Sequence, residues 1–453
     1  MKVLVHISII TIVIGFLIST GEPTWAVVYY VDPEGNDKND GSLKLPFATI
    51  QKAIDEADGG KPDNYDIVHV SRGTYITGPV VFNNDNLKIV FEKDVSILAI
   101  SNSNIIEPRQ FSSYSDRLFV LKRRSNIIVD GDNTVLQMNK HEYGKYLVDN
   151  NGQKHGIGIF SCNNIIIQGL IIKNTGGDGI FIGSSGPDYL TPSRNIFIKD
   201  IICTNVMRNG IQVASADGLT IDGCRFLNNP HIGISFEPDK NFQQLTGINV
   251  RYITIKDGRG SGLAVALRRL KADFTKPKFY PYDVDFVFEN INIINCGSIG
   301  ISITRIFEDG PGGYIKFKNV TVDGTGSLGA SIYKKSSQKA DISFENCIWR
   351  NIGSGSRNII IGIASSSDDG ISCPGGVKFI NCQVFDNKNR PAISTYGAIE
   401  KGGKDLYEVH GNLYFENNKY KTYLYDWKGA KLHNVDLTLH SGIADFCKEK
   451  VEP

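Results

Sequence analysis

From Asn164 the chain reads NIIIQGLIIKNTGGDGIFIG, and the same phrase returns with variations. It recurs as NIFIKDIICTNVMRNGIQVA from Asn195, GLTIDGCRFLNNPHIGISFEP from Gly218 and GINVRYITIKDGRGSGLAVAL from Gly247. VDFVFENINIINCGSIGISI from Val284 and GYIKFKNVTVDGTGSLGASI from Gly313 continue the series. Each copy holds a β-branched run, a turn, a second run ending in Asn or Asp, and a third run opened by Gly. The alternation within runs has period two and turn residues bound each run, which identifies strands. The Gly that opens the third run stands at 179, 210, 233, 262, 300 and 329, with gaps of 31, 23, 29, 38 and 29 residues. A coil of three short strands needs just over about 20 residues, so the longer gaps hold loops inserted into individual coils.

Working outward, the remaining composition fits a stack of such coils. Of 453 residues 47 are Gly, more than helix-rich domains carry, because an interior Gly costs a helix about 1 kcal/mol against Ala. A hydrophobic fraction of 41% excludes wholesale disorder. Lys and Arg total 49 against 48 Asp and Glu, so no global charge draws the chain to nucleic acid. Length alone would suggest about three domains, but repeats grow along one axis. The expectation is one all-β, single-domain right-handed parallel β-helix, its handedness set by parallel-strand crossovers. The exposed first edge calls for a cover. FATIQKAIDEA, Phe47 to Ala57, supplies one as a short N-terminal capping helix with Ile50, Ala53, Ile54 and Ala57 on one face.

Residues 1–26 read as a signal peptide, with Lys2 as the positive n-region, an apolar stretch from Val3 to Ile18, and Thr24-Trp25-Ala26 as the cleavage site. The expected division is therefore signal peptide 1–26, capping strand and helix 27–60, solenoid 61–420 and a C-terminal cap or tail 421–453. The expected location is secreted, periplasmic or at the cell surface, with no stable membrane insertion after cleavage. Cys203, Cys224, Cys296, Cys347 and Cys382 sit in or just after apolar runs without CxxC spacing. They read as small buried hydrophobes rather than a zinc site.

YYVDPEGNDKNDGSLKLPFATIQKAIDEA, Tyr29 to Ala57, resembles the opening of many secreted right-handed parallel β-helix proteins of the pectate-lyase-like superfold. The coils after Asn164 resemble the repeat region of the same group. The resemblance implies a polysaccharide or oligosaccharide partner and leaves the reaction open, since this scaffold hosts lyases, hydrolases, epimerases, esterases and phage tailspikes.

Strand parity then nominates residues. Gly+1 and Gly+3 of the third run are apolar in every coil from Ile180/Ile182 to Ile301/Ile303, so that parity faces the core. The opposite parity is mostly small and reads as a groove floor. Glu237 and Asp239 in GISFEPD share it, about 6.6 Å apart along an extended backbone, with Pro238 between them. Two carboxyl groups about 6.5–9.5 Å apart suit an inverting glycosidase. Asp178, two coils earlier, stands about 10 Å away along the axis as a third acid. NTGGDG around it resembles the Asn-Thr-Asp motif of polygalacturonase-type glycosidases. It departs by two glycines before the Asp and by lacking the Asp-Asp and Gly-His-Gly motifs.

Gln212 and Asn209 are placed to bind sugar hydroxyls. Arg268, Arg269 and Arg305, followed by Lys334 and Lys335, form a basic column suited to an anionic glycan, and Arg268 shares the column of Asp239. The chemistry expected is glycoside hydrolysis with no required cofactor and no metal. A polysaccharide lyase is the alternative, with Arg268 or Arg305 as base and Ca²⁺ held by Glu237, Asp239 and Asp178. A glycan-binding solenoid without catalysis fits the same pattern.

Overall fold

The computed structural model describes residues 26–100, 117–143, 154–185, 190–275, 279–353, 359–364, 375–386, 388, 390 and 392–395. It also describes short strands at 407–410, 413–416, 419–420, 425–426 and 430–433. The segment up to residue 25, where a signal peptide is expected, lies outside the described residues.

Each coil contributes three runs, as the repeat requires. First and second runs pair in one large sheet. In the long strands they are continuous, so Asn163–Lys173 meets Ser193–Lys199 with its first half and Ile202–Thr204 with its second. Among the described residues, third runs form a separate sheet of twelve strands in strict chain order, including Ile157–Phe160, Ile180–Gly183, Ile211–Val213, Ile234–Phe236, Leu263–Ala266 and Ile301–Ile306. The pairings are parallel and hold register from coil to coil, Ile180 on Ile211, Ile211 on Ile234 and Ile234 on Leu263. The molecule is a single-domain right-handed β-solenoid.

Register turns the core into columns of like residues. Phe288, Phe317, Phe344 and Phe379 stack at centroid distances of 4.8, 4.9 and 5.2 Å with rings within 12° of parallel. Their burial is complete, so the column contributes both area and ring-on-ring contact. Cys162, Cys203, Cys224, Cys296, Cys347 and Cys382 are buried free thiols packed in the same core. Burial pushes the thiols of Cys203, Cys224 and Cys296 up, which makes them inert.

The corners explain the Asn and Asp that end the runs. Asn174, Asn205, Asn228, Asp257 and Asn295 all adopt φ between 52° and 57°, a left-handed conformation these short polar side chains tolerate. At the corner before the first run, Asn86, Asn126, Asn164 and Asn195 repeat the geometry. There Asn126 Nδ2 donates to Asn86 Oδ1 at 2.7 Å, Asn164 to Asn126 at 3.0 Å and Asn195 to Asn164 at 3.0 Å.

The recurring Gly has a steric cause, not a conformational one. A Cβ on Gly179, Gly210, Gly233, Gly262 or Gly300 would lie 2.5–2.7 Å from the carbonyl oxygen of the corresponding Gly in the next coil. It would also strike a core side chain, as at Gly233, where Ile255 Cγ2 stands at 2.5 Å. Helix α1, Ile50–Glu56, caps the first coils: Thr49 Oγ1 accepts the Lys52 N–H, and Ile50, Ala53 and Ile54 are buried. A one-turn helix spans Lys140–Tyr143. At the other end Tyr425–Asp426 pairs with Ile393–Thr395, so coil pairing continues past residue 420.

Gly233→Ala is expected to destabilise the solenoid by about 1–3 kcal/mol, because backbone oxygen cannot yield to the new methyl. Gly78→Ala, where a Cβ meets nothing within 4 Å, is expected to stay within about 0.5 kcal/mol of the parent. Urea denaturation of the two variants checks this, and equal midpoints would contradict it.

Candidate functional site

The outward parity of the twelve-stranded sheet forms the expected strip, running in register through Gly158, Phe181, Gln212, Ser235, Ala264, Ser302 and Ser331. It is more enclosed than an open floor. Gln212 is 4% exposed, Ser235 1% and Ser331 3%, whereas Glu237 and Asp239 beyond the strand end are exposed. The accessible chemistry lies where third runs pass into the inserted loops.

Asp178, Asn209 and Gln212 are joined in one buried hydrogen-bonded line. The Asn209 N–H donates to Asp178 Oδ1 at 2.9 Å, Asn209 Nδ2 to Gln212 Oε1 at 2.9 Å, and Gln212 Nε2 to the Glu237 carbonyl at 3.2 Å. Asn209 Oδ1 accepts the Ile232 N–H at 3.2 Å. The two amides expected to bind sugar therefore spend these groups inside the protein. Asp178 has no exposed surface.

His155 completes this cluster. Its Nδ1 lies 3.0 Å from the Asp178 N and 3.2 Å from Asp178 Oδ2. It can accept from the first or donate to the second, but not both. Burial pushes its pKa down, against the upward pull of Asp178 and with the help of Arg117 and Arg208. The neutral ring accepting the N–H leaves Asp178 Oδ2 without a hydrogen-bond partner among the described residues. Phe181 stacks on this ring at 5.0 Å and on Phe160 at 5.4 Å, with the Arg117 guanidinium 4.4 Å from the Phe160 centroid.

The acid pair sits at the end of Ile234–Phe236. Glu237 keeps strand register, its N–H donating to the Val213 carbonyl at 2.9 Å. Pro238 has no N–H and ends the ladder there. Asp239 consequently lies in a bend, and the spacing of about 6.6 Å for two strand residues does not carry over to it. Gln243, 2% exposed, fixes the bend: its Oε1 accepts the N–H groups of Asp239 at 2.6 Å and Lys240 at 3.0 Å.

Although Asp239 is exposed as a whole, desolvation around its carboxyl raises the pKa above the usual 3.8, while Lys240, Arg208 and Arg269 pull it down. Arg208 was not singled out by the repeat pattern. Its Nε stands 3.7 Å from Asp178 Oδ1, so it links the buried acid to the field around Asp239. The available signal was its place immediately before Asn209 at the head of a coil.

The basic column is only partly formed. Arg268 and Arg269 are exposed at the loop after Leu263–Ala266, and no ion pair joins Arg268 to Asp239; of these two, Arg269 acts on it. Arg305 and Lys334 adopt φ of 63° and 56°, so the strands kink where the column would continue. Lys335 turns inward, fully buried, and donates to the carbonyls of Ser336 at 2.6 Å and Lys339 at 2.8 Å. Burial brings its pKa down to about 7, with Asp341 pulling upward. Among the described residues no three His, Cys, Asp or Glu side chains gather in metal-ligating positions, so the Ca²⁺ set of Glu237, Asp239 and Asp178 does not assemble.

Comparison with known proteins agrees with this architecture. Residues 125–269 match the family model described as a right handed beta helix region. An uncharacterized protein of Bacillus subtilis (strain 168), YclG, is 26% identical over 144 residues, 31% of this chain. The match spans about a quarter, 23%, of that relative's length. Among solved structures, the catalytic domain of a GH87 α-1,3-glucanase in complex with nigerose superposes with a TM-score of 0.55 at 14% identity. It covers 94% of this chain and 70% of that one. An aspartate-to-alanine variant of such a domain with tetrasaccharides gives 0.54 over the same shares. The chain has the right-handed parallel β-helix of the pectate-lyase-like fold.

Since Arg269 depresses the Asp239 pKa, Arg269→Gln is expected to raise it further, and Arg208→Gln to do the same. NMR titration of the Asp239 carboxyl carbon checks the sign; an unchanged or lower midpoint would show that these cations do not act on it.

Proposed function

We propose that this protein is a polysaccharide-degrading glycoside hydrolase whose reaction centre is formed by Glu237 and Asp239. The observation that carries the reading is two carboxyl groups at one strand end in unlike surroundings: Glu237 exposed where the ladder ends, and Asp239 in a bend where desolvation raises its pKa above the usual 3.8. Glycoside hydrolysis needs such an unequal pair, an acid to protonate the leaving oxygen and a base to activate water. In this reading Asp239 is the acid and Glu237 the base, with inversion at the anomeric carbon. Gln243, Arg208 and the Asp178–Asn209–Gln212 line position them.

The fold shared with the α-1,3-glucanase makes α-1,3-glucan oligosaccharides the first probe. The cations around Asp239 favour a chain bearing carboxylates or sulfates, so polygalacturonate belongs beside them. Export, expected from residues 1–26, is part of the same proposal: a polymer substrate is met outside the cell.

Glu237→Gln is expected to lower turnover by about 10²–10⁴-fold while leaving the melting temperature unchanged, because the side chain is exposed. New reducing ends without an unsaturated, ultraviolet-absorbing product, with the inverted anomer formed first by proton NMR, would support the assignment. An unsaturated product would replace hydrolysis by β-elimination, and full activity of the variant would remove Glu237 from the reaction.

A further inference from the structure

The insertion that follows Leu263–Ala266 carries a cluster of exposed rings. Phe274 is 63% exposed, Tyr280 66% and Tyr282 52%, a concentration of large apolar surface within nine residues. Such surface on a soluble fold marks a contact site. The rings do not stack face to face: Phe274 meets Tyr280 edge-on at 5.9 Å and 79°, and Phe279 meets Tyr282 at 6.2 Å and 66°.

The described residues on both sides of the rings are tied down. Asp273 and Phe279 exchange backbone hydrogen bonds at 2.9 and 2.8 Å across an antiparallel bridge. The Ala272 N–H donates to the Asp309 carbonyl of the following loop at 2.8 Å. On the other side Asn241 Nδ2 donates to Asp273 Oδ2 at 3.3 Å, which attaches the ring cluster to the loop that carries Glu237 and Asp239.

We propose that Phe274, Tyr280 and Tyr282 form a sugar-stacking subsite one coil to the C-terminal side of the acid pair, and that its occupant is the same glycan chain. This rests on the hydrolase reading for the identity of that chain. A pyranose ring offers an apolar C–H face to an aromatic ring, while its hydroxyls stay in water or meet Arg268, Arg269 and Lys271 at the rim. Coils repeat at about 4.8 Å, close to the length of one sugar residue, so a glycan lying along the axis advances about one residue per coil. The rings therefore grip the chain beside the bond held at Glu237, not at it.

The experiment compares Glu237→Gln with the same protein carrying Phe274→Ala and Tyr280→Ala, so that binding is read without turnover. Both positions are exposed, and circular dichroism verifies the fold. Affinity for α-1,3-glucan hexasaccharide or polygalacturonate is expected to fall about tenfold, with nigerose binding unchanged. Phe274→Tyr with Tyr280→Phe is expected to restore it. Equal affinity of the Ala variant for the long chains, or an equal loss for nigerose, would overturn the subsite. So would a parent dimer that the Ala variant dissolves in sedimentation, since the rings would then cover a second copy. Chain binding that depends on the rings without any hydrolysis by the parent would remove the hydrolase reading alone. Hydrolysis with ring-independent affinity would remove the subsite alone, and no glycan binding would remove both.

Discussion

Main-chain pairing of every coil with the next, in fixed register, is the constraint on which the rest of this structure depends. Parallel strands repeat at about 4.8 Å, so each side chain stands directly over the one in the same column. Whatever occupies a column must be compatible with its own kind at that spacing. Phenylalanine rings satisfy this by offset stacking, asparagines by handing one amide to the next, and thiols by being small. The glycine column satisfies it by having no side chain at all, because the neighbouring carbonyl occupies the place of a Cβ.

That same constraint made the fold legible from sequence. Periodic Gly, run-ending Asn and strict apolar parity are local marks of a column, and the structure places Ile180, Ile211, Ile234, Leu263 and Ile301 in the core as parity required. Inserted loops were legible too, since the gap lengths departed from that of a bare coil. The site was less so. Parity holds only while the ladder holds, and Pro238 breaks it between the two acids. Depth is not encoded in parity either: Asp178, Asn209 and Gln212 have the expected alignment but are buried and bonded to each other. Lys335 shows the same failure, since a kink at Lys334 precedes it and turns the next side chain inward.

Of the residues that sequence reading missed, Arg208 acts across adjacent coils and Gln243 within its own loop. Arg208 stands beside Asp178 and influences Asp239, a relation visible only when 30 residues of chain separate two stacked positions. Gln243 accepts from two N–H groups of its own loop, which shapes the bend that a proline began. A charged site on a solenoid is thus assembled crosswise to the chain. The strand that bears the acids supplies few of the groups that tune them.

The asparagine column at the first corner has a direction. Each amide donates toward the N-terminal coil, from Asn195 through Asn164 and Asn126 to Asn86, and Asn86 Nδ2 passes the polarity to the Gly60 carbonyl at 2.9 Å. The side-chain dipoles add head to tail, as peptide dipoles do in a helix, and each bond polarises the next. The column therefore behaves as a tether that fastens the N-terminal segment to the stack. A solenoid is weakest at its ends, where a coil has only one neighbour. Here the first end is tied on through a single polar thread over four successive coils, so the bond that peeling breaks first, Asn86 to Gly60, is strengthened by those behind it.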